Sequence, residues 1–128
     1  MNSTKINANL VKIAKEASKN SYSPYSKYKV GAAILAKNGK IYSGVNVENA
    51  SYGLTICAER SALCAAICDG NKQILKVAIY ANSQKPPIPC GACLQFLSEF
   101  AESLEIVVSC KKPEIKTFPL KDLLTNPF

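Results

Sequence analysis

Apolar residues recur at helical spacing early in the chain. Ile6, Leu10, Ile13, Ala14 and Ala17 alternate with Lys12, Lys15, Glu16 and Lys19. That period predicts an amphipathic helix over residues 6–19. Asn20-Ser21-Tyr22-Ser23-Pro24 ends it, since polar turn residues and proline do not continue a helix. Two β-compatible runs follow, Tyr28 to Lys37 and Lys40 to Glu48, and Asn38-Gly39 between them predicts a hairpin. Beyond a loop at Asn49 to Ile56, small and apolar residues predict a second helix from Cys57 to Asp69, with Gly70 as its stop. Ile74 to Ala81 is a buried strand, and Asn82 to Pro89 a proline-rich loop. A third helix is expected from Cys90 to Ala101, then a buried strand from Leu104 to Cys110. Ile115 to Phe118 gives a weaker strand, and Leu120 to Leu124 a short helix.

The order is α-β-β-α-β-α-β, followed by the weaker β-α pair. Strands alternating with helices imply crossovers between parallel strands, and the hairpin adds an antiparallel pair. The expected class is therefore α/β: three layers, α/β/α, around a mixed sheet of about five strands. No repeat or linker divides the 128 residues, which are expected to form one domain over 1–128.

Composition narrows the functions available. A hydrophobic fraction of 48% with 20% charged residues describes a globular chain, not a disordered one. The net charge is +7, but the lysines are scattered, so a solvated surface is expected and no nucleic-acid partner. Met1-Asn2-Ser3-Thr4-Lys5 lacks the pattern of a signal peptide, and apolar runs such as Val30 to Ala36 are too short to cross a bilayer. A cytoplasmic protein with reduced thiols and no membrane partner is expected. There is no histidine, which excludes Ser-His-Asp and Cys-His nucleophiles and every His-containing metal site.

The six cysteines divide into two groups. Cys64, Cys68 and Cys110 lie inside apolar elements and are expected to be small core residues. Cys57, Cys90 and Cys93 lie near expected helix starts, where free N–H groups and the positive end of the helix dipole favour thiolate. Cys90-Gly91-Ala92-Cys93 can present two sulfurs to one tetrahedral ion, with Gly91 relieving crowding in the turn. The pair alone also fits a redox dithiol or half a zinc ribbon. Cys57 would add a third thiolate and leave zinc a fourth, open position, as catalytic sites do. Glu59, two residues on, would sit where a carboxylate can accept a proton from water.

Cys57-Ala58-Glu59-Arg60 together with Pro89-Cys90-Gly91-Ala92-Cys93 resembles the motif pair of the zinc deaminases. The chain is similar over nearly its whole length to the cytidine deaminases of free nucleosides, the small three-cysteine homotetrameric type. The likeness extends to Tyr22 through Tyr28, Val30-Gly31-Ala32-Ala33 and Asn46 through Gly53. It implies one Zn²⁺ per subunit on Cys57, Cys90 and Cys93, and Glu59 as the proton shuttle. The implied reaction is hydrolytic deamination of cytidine and 2′-deoxycytidine to uridine and 2′-deoxyuridine in pyrimidine salvage.

Further roles follow from the same resemblance. Arg60, the only arginine, would donate to the sulfurs of Cys57 and Cys90 and offset the excess negative charge of three thiolates. Asn46 and Glu48 would hold the ribose, while Tyr28, standing where relatives usually have Phe, would pack on the pyrimidine. Ala58 would line the base site, and the terminal Phe128 would reach the site of a neighbouring subunit. Val45 and Leu94 depart from the usual Cys and Arg. Alternatives are a deaminase for blasticidin-S or another modified cytosine nucleoside, a thiol oxidoreductase using Cys90 and Cys93, and a structural zinc module binding RNA, closed by Cys64.

Overall fold

The computed structural model describes residues 2–128. Helix α1 spans Ser3–Ser18 and begins earlier than apolar spacing predicts, because the Asn2 side chain accepts the Lys5 N–H at 2.9 Å and caps it. Its buried stripe is Asn7, Leu10, Ala14 and Ser18, while Ile6 and Ile13 are only half-buried beside it. Strands β1 (Val30–Ala36) and β2 (Ile41–Val45) form the expected hairpin. Its loop has three residues, closed by Ala36 N–H to Lys40 O at 2.9 Å, with Gly39 at φ +92°. Helix α2 (Ala58–Cys68), strand β3 (Ile74–Ala81), helix α3 (Gly91–Ser98) and strand β4 (Glu105–Ser109) follow. Strand β5 (Lys116–Pro119) and helix α4 (Leu120–Leu123) complete the chain.

The strands form one sheet in the order β2-β1-β3-β4-β5. Only β3 and β4 are neighbouring parallel strands; β1 is antiparallel to both β2 and β3, and β5 is antiparallel to β4. Because β1 opposes both its neighbours, β2 and β3 run in the same direction. The expected crossovers are therefore present, the first one stepping over β1. Alternate residues face opposite layers. Ile34, Val77, Ile79, Ile106 and Val108 join Ala62, Leu63 and Leu97 under α2 and α3. On the other face Ala33, Ala78, Tyr80 and Val107 meet Leu10 and Ala14 of α1. This is the expected three-layer α/β/α arrangement.

Two glycines set the helix–sheet distances. A Cβ on Gly31 would lie 1.9 Å from Ala14 O, and one on Gly44 would lie 2.3 Å from Ala62 N and 2.7 Å from Ala58 O. Helix backbones thus rest directly on β1 and β2. A polar network adds to the α1 contact: Lys76 Nζ donates to Ser3 Oγ at 2.7 Å, Asn7 Oδ1 at 2.8 Å and Glu105 Oε1 at 3.0 Å. Asn7 Nδ2 also donates to Glu105 Oε1, at 3.2 Å.

Two expectations about the cysteines fail. Cys64 and Cys68 are exposed, because α2 buries the face formed by Ala58, Glu59, Ala62, Leu63 and Ala66 and turns the other outward. Cys110 is buried as expected.

Because the atoms facing Gly44 are backbone, Gly44→Ala must displace α2. It should lower stability by about 1–3 kcal/mol, measured by denaturant unfolding. Gly53→Ala, whose Cβ would meet nothing within 4 Å, should stay within about 0.5 kcal/mol of the parent.

Candidate metal centre and active site

The site forms where β2 and β3, running the same way, hand the chain to α2 and α3. Cys57 is the N-cap of α2 and Cys90 the N-cap of α3, and neither side chain is used in capping. Cys93 lies in the first turn of α3 and is buried. The three sulfurs lie within 4.8 Å of one another. Tetrahedral zinc thiolates at about 2.3 Å per bond place sulfurs about 3.8 Å apart, so the cluster needs only a small contraction. Two helix N-termini aimed at one point favour the thiolate forms. Cys64 lies on the opposite, exposed face of α2 and is not in the cluster, so the closed four-thiol site has no fourth ligand there.

Gly91 has a different part from the one expected. A Cβ there would meet nothing within 4 Å, so it relieves no crowding.

Charge is arranged around the sulfurs. Cys57 is held down to about 5, first by the hydrogen bond from Cys93 and then, against partial burial, by the Arg60 guanidinium. Cys93, the proton donor of that pair, is pushed up by this bond and by its burial. Arg60 Nη2 donates to Cys57 Sγ at 3.4 Å. The Cys57 sulfur, and after it Cys93, raises the Arg60 pKa above the usual arginine value. Arg60 Nε–H is buried with no acceptor, and such a spare donor suits a cluster whose three thiolates exceed the charge of a divalent ion.

Glu59 points inward and is only 5% exposed. Burial pushes its carboxyl above the usual carboxylate range, and the neighbouring Cys57 charge adds to the rise. Glu59 follows Cys57 by two residues in the first turn of α2, so its helix start is shared with the cluster. Ala58 is fully buried in the first turn of α2, with its carbonyl packed on Gly44.

Tyr28 forms a wall near Glu59. Burial raises its pKa, with the Glu59 charge a smaller contribution. Asn46 is buried and holds this wall. Its Nδ2 donates to Tyr28 O at 2.8 Å, and its Oδ1 accepts Val30 N–H at 3.0 Å and the Ser21 hydroxyl. One N–H of the Asn46 amide is left for a ligand. Glu48 Oε1 accepts the N–H groups of Tyr25 at 3.0 Å and Ser26 at 3.2 Å, and Oε2 accepts the Ser26 hydroxyl. These bonds hold the Glu48 carboxyl below the usual range, the Ser26 hydroxyl contributing most. Glu48 also lines a cleft of about 250 Å³ with Tyr25, Ser26, Tyr52 and Thr55.

Phe128 is not brought to this cluster. Its ring is fully exposed, and its N–H donates to Gln95 Oε1 at 3.0 Å, on α3. Ser21 is a structural partner of Asn46 that the sequence marked only as a turn residue, and Ser26, which lies inside the resembling stretch Tyr22 to Tyr28, is a partner of Glu48 that was given no role of its own.

Comparison with known proteins agrees with this geometry. Residues 4–110 match the family model described as the cytidine and deoxycytidylate deaminase zinc-binding region. The cytidine deaminase of Halalkalibacterium halodurans is 39% identical over 120 residues, covering 93% of this chain and 91% of that protein. That of Sporosarcina psychrophila is 40% identical over 120 residues, covering 93% and 88%. Among solved structures, the cytidine deaminase of Burkholderia pseudomallei superimposes with a TM-score of 0.91 at 38% identity, covering 100% of both chains. That of Mycobacterium tuberculosis gives 0.83 at 38% identity, covering 94% of this chain and 95% of the other. Zinc is the metal that the family and the Cys57, Cys90 and Cys93 cluster share, and the chain belongs to the cytidine and deoxycytidylate deaminase family.

Proposed function

We propose that this protein is a zinc-dependent hydrolase that deaminates cytidine and 2′-deoxycytidine to uridine and 2′-deoxyuridine with release of ammonia, in pyrimidine salvage. One observation carries the reading. Three thiols from two helix N-termini converge beside a buried carboxylate that is not among them. Held by Cys57, Cys90 and Cys93, zinc supplies a Lewis acid that makes water nucleophilic near neutral pH.

The remaining chemistry belongs to the chain. Glu59 accepts a proton from the attacking water and delivers it to N3 of the cytosine, which makes C4 more electrophilic. The water oxygen bonds to C4, and Glu59 then carries the proton remaining on that oxygen to the exocyclic nitrogen, so that the C4–N bond breaks, ammonia leaves and the C4 carbonyl of uridine remains. A carboxyl raised toward neutrality serves as both base and acid. Arg60 draws electron density from the sulfurs and strengthens the metal as an acid. Tyr28 packs on the base, Ala58 offers backbone to it, and Asn46 and Glu48 meet the ribose through their unused polar valences.

The same proposal includes one domain over 1–128, a homotetramer and a cytoplasmic setting. Tyr52 at 75% and Leu54 at 64% exposure, together with the exposed Phe128, supply apolar surface for neighbouring subunits. Phe128 would complete a neighbour's site. Among the described residues no helix is long and apolar enough to cross a membrane.

Zinc-loaded protein should convert cytidine to uridine, followed by ultraviolet absorbance, and a zinc chelator should abolish this. Absence of turnover by fully metallated protein overturns the reading. Glu59→Gln should lower kcat at least about a hundredfold while the protein still binds zinc. Arg60→Lys loses the planar fork and should cost about 10–100-fold in zinc affinity or activity, measured by chelator competition and kcat.

Glu48 gives a pH test. Its folded-state pKa is depressed, so the loop bonds to Tyr25 and Ser26 are present at neutral pH and lost as pH falls through that lowered value. The Tyr25 and Ser26 amide resonances should titrate with a midpoint below the ordinary glutamate value of about 4.3. Glu48→Gln should remove that titration.

A further inference from the structure

Residues 27–29 carry the Tyr28 wall and are held from two sides. From one side come Asn46, as described, and the Tyr28 N–H bond to Ser26 Oγ at 3.0 Å. From the other comes Asn82, the first residue beyond β3. Its Oδ1 accepts Lys29 N–H at 2.8 Å, its own N–H donates to Lys29 O at 3.1 Å, and its Nδ2 donates to Lys27 O at 3.4 Å. Asn82 therefore grips the residues on both sides of Tyr28 without touching Tyr28 itself.

The gripped segment is strained. Lys27 has φ +61°, the one positive φ outside glycine among the described residues. A lysine there is unfavourable and persists only where its surroundings over-determine it. Ser23 O accepts the Lys27 N–H at 3.0 Å, and the Asn82 amide meets its carbonyl. The turn that starts at Asn82 is itself tied down: Ser83 Oγ donates to Lys85 O at 2.6 Å, and Ser83 O accepts Lys111 N–H at 3.0 Å. Both backbone neighbours of Tyr28 are thus referred to the turn at residues 82–83. The same residues begin the loop that leads to Cys90.

We infer that Asn82 is a positioning residue for substrate binding, holding the Tyr28 ring at a set distance from the metal centre by clamping Lys27 and Lys29. The inference rests on Tyr28 packing against the base, as proposed above. Binding of the base should suffer when the clamp is removed, while the metal ligands and Glu59, carried by α2 and α3, stay in place.

The test uses zinc-loaded protein labelled with 3-fluorotyrosine, the Tyr28 signal being the one of six that Tyr28→Phe removes. In Asn82→Ala the fluorine resonance of Tyr28 should shift or broaden while the others hold. KM for cytidine should rise about tenfold, with zinc content unchanged and kcat within about twofold. Asn82→Asp keeps the acceptor for Lys29 N–H and should show a smaller rise in KM. It also carries the test if the alanine variant does not fold. An unmoved Tyr28 resonance overturns the inference, as does a moved resonance with unchanged KM. A fall in kcat matched by loss of zinc also overturns it, since that marks general damage. If the parent protein turns over no cytidine, the functional reading fails separately, and the inference, which concerns substrate binding, falls with it.

Discussion

The contact between helix α2 and Gly44 of β2 is the constraint on which the site depends. With no side chain at residue 44, Ala58 O and Ala62 N come down onto the strand. That contact sets the height and start of α2, and with them the positions of Cys57 and Glu59. Strand β3 runs in the same direction as β2, so its own helix starts at the same end of the sheet. Two helix N-termini then meet outside the carboxyl ends of these strands, where open α/β sheets place their ligands. The antiparallel β1 between them does not interfere; its entry segment supplies Tyr28.

Electrostatics and burial work together at this junction. Three thiolates close to one another repel, and two helix dipoles and one guanidinium oppose that repulsion. The same crowding of negative charge, added to burial, keeps Glu59 from ionising as readily as a free carboxylate. A single arrangement therefore favours an ionised Cys57 and a proton-holding carboxyl side by side. Arg60 reaches the sulfur of Cys57, and its buried Nε–H, which has no acceptor, is a second donor held beside the cluster.

Much of this was legible in the sequence, for reasons that are local. The apolar run from Ile74 to Ala81 is the observed β3, and Asn38-Gly39 marks the hairpin turn. The three cysteines stood at helix starts and were separable from the others by that position alone. What escaped was set by tertiary geometry. α1 turns Ala14 and Ser18 inward because its backbone there lies on Gly31, a demand that a hydrophobic period does not express. Cys64 and Cys68 looked like core because α2 carries no charged residue from Ala62 to Cys68, and only docking decides which side is covered. The links from Ser21 and Ser26 to Asn46 and Glu48, and from Asn82 to Lys29, join residues far apart in the chain. No local pattern announces them.

The network joining Asn7, Lys76 and Glu105 has a consequence for how the molecule is made. Asn7 and Glu105 are 98 residues apart, yet they bond directly. During synthesis α1 emerges first, but its anchors on β3 and β4 come much later. Early in translation it can rest on β1, where Ala14 and Ser18 meet Gly31, but its Asn7 end has no partner until Lys76 and Glu105 are out. Completing that layer is a long-range event, of the kind that slows folding and leaves nascent chains open to wrong partners. One helix is thus anchored in two stages, at its second half by a near strand and at its first half by distant ones.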